Sequence, residues 1–456
     1  MSETGEQVQT QDRIELLNEA LGSGRFARVR AMLGELRAAD VAHLLESTPK
    51  PGRDVLWRLV EKDQEGEILQ YLNDEVRNHF IDQMHPQELA DATAGMDSDD
   101  IADILGDLPE HVSQQVLRLL DEENRHRVEQ VLSYPEDTAG GLMNTDTVTI
   151  KPHVTVEVVL RYLRMRNELP TNTDSLFVVD KRERFVGAVP LSSLLVADTD
   201  KLITDILQPD VESIAVDRGA NEVAQIFERR DLVSAPVTDA NGKLLGRITI
   251  DDVVDVIREE AEHSLMSMVG LDEDVDTFAP VWSTAKKRAL WLGINLLTVL
   301  IASRVIGMFE DTIRIVTALA ILQPIVPSMG GVAGTQTLTL MIRGLSLGQV
   351  GSSNARWLML RELRVSLLNG LLWALVVGII AYVWFLDTGK SLLLAITIAG
   401  AMIINLVMGV IAGAALPLIL KRLKMDPVLS GSVILTTVTD VIGFFAFLGL
   451  ATLFFA

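Results

Sequence analysis

The chain has no cysteine in its 456 residues, which excludes a disulfide framework and a thiolate metal centre. Histidine stops early: all seven lie before residue 264. A metal handled by the later part would meet oxygen ligands alone, which suits hard cations such as Mg2+ and Ca2+ better than Zn2+ or Cu+. No P-loop or other hydrolase motif is present, so ion flow down an electrochemical gradient is the expected form of any transport. The opening MSETGEQVQTQD holds no apolar core, so no cleavable signal peptide is expected. Bases are short as well, 40 against 62 acids, for a net charge of −22. The shortage is uneven. From Lys286 onward thirteen bases face six acids, net +7, which leaves −29 for residues 1–285. So acidic a front half argues against nucleic acid, whose phosphates it would repel, and suits cations.

A chain of this length has room for about three domains, and its pattern changes character at two places. Residues 1–137 read as short amphipathic helices in succession, such as AADVAHLLEST, QEGEILQYLND and SDDIADILGDL, with breaks at Pro49, Pro51 and Pro109. Leu89-Ala-Asp91 is echoed by Ile101-Ala-Asp103, and helix pairs of this kind stack as a superhelix. Asp97, Asp99, Asp100 and Asp103 crowd one helix start. Capping accounts for one or two acids there, but Asp99 and Asp103 share a helical face where like charges repel. Local sequence leaves a solvated acidic face and a cation site equally open.

Residues 138–262 alternate β-branched runs with helical segments and repeat internally. Phe177-Val-Val-Asp180 with Gly187 matches Pro236-Val-Thr-Asp239 with Gly246 at an offset of 59 residues. The predicted units are 138–200 and 201–262, each strand, helix, strand, strand, helix. That layout resembles a tandem CBS pair, an α/β regulatory module that binds nucleotides and dimerises. The ribose-phosphate pattern of such modules, Gly-x-x-Thr/Ser-x-x-Asp, stands in the second unit as Gly246, Thr249 and Asp252 and is lost in the first, which has Gly187, Pro190 and Ser193. ATP at the second unit is therefore the nucleotide expectation. Beyond it, Asp252, Asp255 and Glu259 fall on one helical stripe, read equally as a solvated face or a cation face. The helix is expected to continue through SLMSMVG and VWSTAKKRALW, with 263–285 as a connecting helix.

Residues 286–456 hold five predicted spans, near 288–308, 312–342, 364–386, 391–420 and 427–455. The basic clusters Lys286-Lys-Arg288, Arg343 to Arg364, and Lys421 to Lys424 all fall on one side if the N-terminal half is cytoplasmic, as the positive-inside rule requires. A multi-pass protein of the cell membrane is expected. The second span carries Pro324, Pro327, Gly330, Gly331 and Gly334 and the polar Thr335, Gln336, Thr337 and Thr339. It predicts a broken helix, which is tolerated at membrane depth where it lines a cavity or packs against protein. Asp440 is the single charge in the apolar run 427–456. A carboxylate mid-span costs at least about 2.5 kcal/mol on insertion scales, so it is either bonded to neighbouring helices or an ion ligand in a passage.

In combination these motifs are specific. Glu136-Asp-Thr-Ala-Gly-Gly-Leu-Met143, Gly330-Gly-Val-Ala-Gly-Thr-Gln336, Asp426-Pro427 and Thr436-Thr-Val-Thr-Asp440 resemble the MgtE family of magnesium channels and transporters across essentially the full length. The resemblance implies a homodimer with a pore on its two-fold axis. There Asp440, the carbonyls of Gly331 and Thr436, and the side chain of Thr335 would hold hydrated Mg2+. It also implies regulatory Mg2+ shared between Asp99 and Asp103 and the acids Asp231, Asp252 and Asp255, with Asp426 on a cytoplasmic loop near the connecting helix. Bound ions would hold the cytosolic domains together and the pore shut. Asn221 and His263 stand where relatives can carry acids, which implies fewer regulatory ions here. Four other readings remain: a broader divalent-cation transporter, admitting Co2+; a Mg2+ sensor without transport, which the polar broken span argues against; an intramembrane aspartyl protease, which would need a second membrane acid; and a CBS-regulated anion channel or exchanger, which Asp440 in the path and the lack of a base mid-span in the broken helix oppose.

Overall fold

The computed structural model describes residues 26–166, 168–271, 276–351, 353–423 and 425–455. These fall into two units, one holding residues 26–260 and 276–279, the other 261–271 and 280 onward.

The first unit opens with nine helices among the described residues: α1 (Phe26–Gly34), α2 (Ala38–Glu46), α3 (Lys50–Trp57), α4 (Glu65–Tyr71), α5 (Asp74–Ile81), α6 (Pro86–Ala92), α7 (Ser98–Gly106), α8 (Glu110–Leu119) and α9 (Glu122–Val131). Side-chain caps set several starts: Asn73 Oδ1 accepts from Val76 N at 3.0 Å and Asp121 Oδ1 from Asn124 N at 2.9 Å. Alternate helices pack together, α2 on α4, α4 on α6, α6 on α8 and α7 on α9, as in the expected superhelix. Their apolar stripes form one core around Leu45, Leu56, Ile68 and Phe80. Helix α9 lacked a clear apolar period in sequence because only Val128 and Val131 of EENRHRVEQV are buried. Residues 1–25, which the sequence includes in the same helical succession, lie outside the described residues.

Two small sheets follow. The first joins β1 (Thr149–Ile150), β2 (Ser175–Val179) and β3 (Phe185–Pro190), flanked by α10 (Val156–Met165), α11 (Leu191–Val196) and α12 (Ile203–Ile206). The second joins β4 (Ile214–Ala215), β5 (Ser234–Thr238) and β6 (Leu244–Thr249), with α13 (Ala220–Arg230) and α14 (Ile250–Ser267). Each pairs its first two strands parallel and its last two antiparallel. The 59-residue offset holds pair by pair: Val178 faces Gly187 and Val237 faces Gly246, and a bulge follows at the same place in both. The core of the second module includes Ala139 and Met143, so the EDTAGGLM segment is built into it.

The second unit contains α15 (Val281–Gly307), α16 (Glu310–Ile315), α17 (Ala318–Leu322), α18 (Ile325–Ser346), α19 (Ala355–Trp384), α20 (Ser391–Arg422) and α21 (Pro427–Phe455). Among the described residues, five segments are long and apolar enough to cross a membrane. Helix α20 packs on α18, α19 and α21.

Two expectations are corrected. The connecting helix does not run unbroken to residue 285. Helix α14 ends at Ser267, Gly270 turns the chain with φ +74, and a new helix begins after Pro280. A Cβ at Gly270 would also lie 1.8 Å from Trp291 Nε1, so the turn needs glycine in space as well as in backbone angle. Residues 272–275 of that expected helix lie outside the described residues. The second span is indeed interrupted, but not at its glycines. The breaks are at Val316-Thr317 and Gln323-Pro324, and Gly330 to Gly334 lie inside the continuous helix α18. Pro324 caps that helix and Pro327 falls in its first turn, where a missing N–H costs nothing. The glycines serve packing instead: a Cβ at Gly409 would meet Gly330 O at 2.5 Å, and one at Gly413 would meet Gly334 O at 2.4 Å.

Candidate ion-binding sites

The helical and sheet modules of the first unit bring their acids together. Asp97 stands at the N-cap position of α7, yet its side chain makes no cap hydrogen bond. It receives one from Thr171 Oγ1 at 3.4 Å. Asp97, Asp99 and Asp100 each place a carboxylate oxygen within 4.8 Å of the others. Direct Mg2+ ligands lie about 2.0–2.1 Å from the ion, so this spacing suits an ion that keeps several of its waters. Asp99 is 6% exposed, and its Oδ1 has no hydrogen-bond partner. Asp100 accepts from Gln70 Nε2 at 2.7 Å.

The opposing acids come from the start of α14. Asp252 accepts from Thr249 N at 3.2 Å and from Thr249 Oγ1 at 3.0 Å, and Asp251 accepts from Asn172 Nδ2 at 2.7 Å. Burial, then the fields of Asp252, Asp100 and Asp97, hold the Asp99 carboxyl well above the usual range. Burial followed by Asp252 and Asp97 pushes Asp100 up to about 8. Burial and Glu136 push Asp103 to about 7 against the opposing pull of Arg77, with Asp252 and Glu259 adding to the rise. Burial and Asp251 raise Asp252 to about 7. Burial raises Asp255, with Arg258 opposing. So dense an array of acids can keep its charge only with a cation among them.

Of the expected regulatory residues, these fields therefore link Asp99, Asp103, Asp252 and Glu259. Asp255 stands on the next turn of α14, 3.3 Å from Arg258. Asp231 occupies the left-handed C-cap of α13, and none of the fields described reaches it. Asp97, Asp100, Asp251 and Glu136 complete the cluster. The crowding of acids at 97–103 was visible in sequence, but not which of them turn inward.

Gly246 of the nucleotide pattern sits where a Cβ would come 2.7 Å from Asn144 O, so it admits the EDTAGGLM segment against β6. Thr249 and Asp252 bond to each other and Thr249 Oγ1 also donates to Asp251. The segment 276–279 is tied to the helical module by a buried pair: Arg53 donates to Asp276 through two nitrogens, at 2.7 and 3.0 Å. Burial opposes the Asp276 charge, but Arg53 and the Phe278 N–H hold its carboxyl below the usual range.

In the second unit, Thr436 and Asp440 stand one turn apart on α21, and Gly331 and Thr335 one turn apart on α18. The two helices pack together, and a Cβ at Gly331 would lie 3.7 Å from Thr439 Oγ1, beside Asp440. Thr335 and Thr436 are exposed, while Gly331 and Asp440 are partly so. The Asp440 carboxylate makes no hydrogen bond or ion pair among the described residues. Because Gly331 lies inside an unbroken helix, no break frees its carbonyl; only the second lone pair of a helical carbonyl remains for an ion's water. Behind this face Asn405, fully buried on α20, donates to Val326 O at 2.8 Å. A Cβ at Gly330 would lie 2.1 Å from Asn405 Nδ2. Asp426 caps α21 by accepting from Val428 N at 2.8 Å and lies 3.3 Å from His263 Nε2.

Comparison with known proteins follows the same divisions. A family described as divalent cation transporter matches residues 323–450, the MgtE intracellular N domain matches 36–137, and the CBS domain matches 139–200 and 203–259. The magnesium transporter MgtE of Thermus thermophilus is 32% identical over 443 residues, covering 96% of this chain and 97% of its own. That of Bacillus subtilis is 27% identical over 434 residues, 95% of each chain. A solved cytosolic domain of the Mg2+ channel MgtE in complex with ATP is 33% identical, covers 53% of this chain and 98% of its own, and has a TM-score of 0.48.

Proposed function

Because the chain belongs to the MgtE family, a class of membrane transporters and not of enzymes, we propose that it admits Mg2+ through a passage organised around Asp440 and that cytosolic Mg2+ closes it. The observation that carries the closing step is the acid cluster of Asp99, Asp100, Asp103 and Asp252, in which Asp99 is buried with one carboxylate oxygen lacking a hydrogen-bond partner and all four carboxyls are pushed well above their usual range. Without ions these carboxylates repel and the helical and sheet modules part. With ions bridging them the modules lock together. The equilibrium moves only because the ion binds the locked form more tightly. Asp255, Glu259 and Asp231 extend the acidic surface, and Asp426 carries its effect to the start of α21.

In the passage, the working unit is a homodimer embedded in membrane lipid, with both copies facing a shared path through Asp440, Thr436, Gly331 and Thr335. Mg2+ gives up its water reluctantly, so a path that grips the hydration shell with hydroxyls, carbonyls and one acid per copy fits it. That Asp440 makes no hydrogen bond or ion pair among the described residues supports an ion ligand over a structural acid. ATP would take Gly246, Thr249 and Asp252, and Asp252 would then be shared between nucleotide and regulatory ion.

The test is Mg2+ uptake by proteoliposomes carrying a fluorescent Mg2+ reporter, wild type beside Asp440→Ala. Flux in the wild type and little in the variant is expected. Equal flux in both would make Asp440 structural. No flux in either, with cytosolic-side Mg2+ removed, would leave a sensor without transport. Co2+ uptake matching that of Mg2+ would favour the broader divalent reading.

A further inference from the structure

We propose that a cavity between the ends of α18 and α19 binds an anionic phospholipid. In this reading the headgroup phosphate sits at Arg343 and Arg361, and an acyl chain lies over Leu340 and Leu358. The cavity measures about 420 Å3 and is lined by these four residues with Val350 and Trp357. That volume is within the range of small-molecule sites.

The walls are set before anything binds. Leu347 N donates to Arg343 O at 3.0 Å and Val350 N to Gly344 O at 2.8 Å, so the loop after α18 folds back on its end. Gly344 makes the turn possible, because a Cβ there would lie 2.5 Å from the Val350 side chain. Asn354 closes the far side, accepting from Gly351 N at 2.9 Å and donating to Gln349 O at 2.7 Å. A ready-made pocket loses little ordering entropy on binding.

The chemistry of the lining points to one class of occupant. The Arg343 guanidinium has no hydrogen bond or ion pair among the described residues. Arg361 is half neutralised by Glu362 at 2.7 Å, which leaves it donors to spare. A helix C-terminus accounts for one arginine through the helix dipole, but not for a second one across an apolar cavity. Trp357 is 68% exposed at the end of a spanning helix, as expected for a side chain at the headgroup level. Two arginines around an apolar slot at this depth fit a phosphodiester with an acyl tail. The proposal does not depend on what the passage carries.

The probe is phosphatidylglycerol against phosphatidylcholine, retained by the purified full-length protein and counted by native mass spectrometry. The wild type should retain phosphatidylglycerol preferentially. Arg343→Gln with Arg361→Gln should lower that retention roughly 30-fold, at about fivefold per basic residue. Arg356→Gln, an exposed base outside the lining, should leave it unchanged. If the double variant is not monodisperse, Leu340→Trp, which fills the slot without altering charge, should produce the same loss. Equal retention by wild type and cavity variants overturns the proposal. So does an equal loss in Arg356→Gln, which would show a diffuse basic field. Displacement of the lipid by inorganic phosphate at the same concentration overturns it in favour of a free-anion site.

Discussion

Mg2+ binding to the acid cluster should release protons, and its affinity should climb steeply with pH. Without the ion, Asp100 titrates near 8 and Asp103 and Asp252 near 7. The ion requires them deprotonated. Taking the three as independent, raising the pH from 6 to 8 strengthens binding by at most about 5,000-fold. Neighbouring carboxylates share protons, so a rise of roughly 100-fold is the expected figure. The sign for the metal-free protein is the reverse. These acids have pKa values raised above their unfolded value, so their contribution to holding the modules together is complete below pH about 4 and lost as the pH passes 7 to 8. The assay is titration calorimetry of the full-length protein with MgCl2 at both pH values, in buffers of high and low protonation enthalpy. A buffer-dependent heat near neutral pH reports the released protons. Asp252→Asn should flatten the pH dependence by about one proton. Affinity equal at both pH values, with no buffer-dependent heat, would refute the reasoning.

Arg53→Ala leaves Asp276 buried without its partner and should cost about 3–5 kcal/mol locally, read as faster hydrogen exchange in residues 276–279 and α3. Gly409→Leu drives a side chain into the Gly330 carbonyl and should destabilise the α18–α20 packing by about 1–3 kcal/mol or more, read as a lower melting temperature in detergent. Gly331→Ala meets only ordinary contact with Thr439 and should fold normally, so any change in flux would report on the passage. Thr249→Ala should weaken ATP binding at least tenfold if the second sheet module holds nucleotide, measured by equilibrium dialysis.

Much of this architecture was readable in the sequence. The 59-residue repeat fixed both strand register and bulge, because turn chemistry at Asp180 and Asp239 recurs with it: each accepts two backbone N–H groups across its hairpin. Hydropathy placed the five spans, since backbone in lipid must bond to itself. What local pattern could not give was which partner a residue meets far along the chain. Gly330 looked like a helix breaker, but its contacts are with Gly409 and Asn405 on α20. Arg53 and Asp276 stand 223 residues apart. The acids at 97–103 read equally as a solvated helix start until the field of Asp252 stood beside Asp99 and Asp100.

The central claim is that cations bridging Asp99 and Asp252 shut the passage. Its most direct measurement is single-channel or vesicle flux with the Mg2+ concentration on the cytosolic face varied, comparing the wild type with Asp99→Asn/Asp252→Asn. The account predicts that high cytosolic Mg2+ silences the wild type while the double variant keeps conducting. A double variant that closes over the same Mg2+ range as the wild type would contradict it.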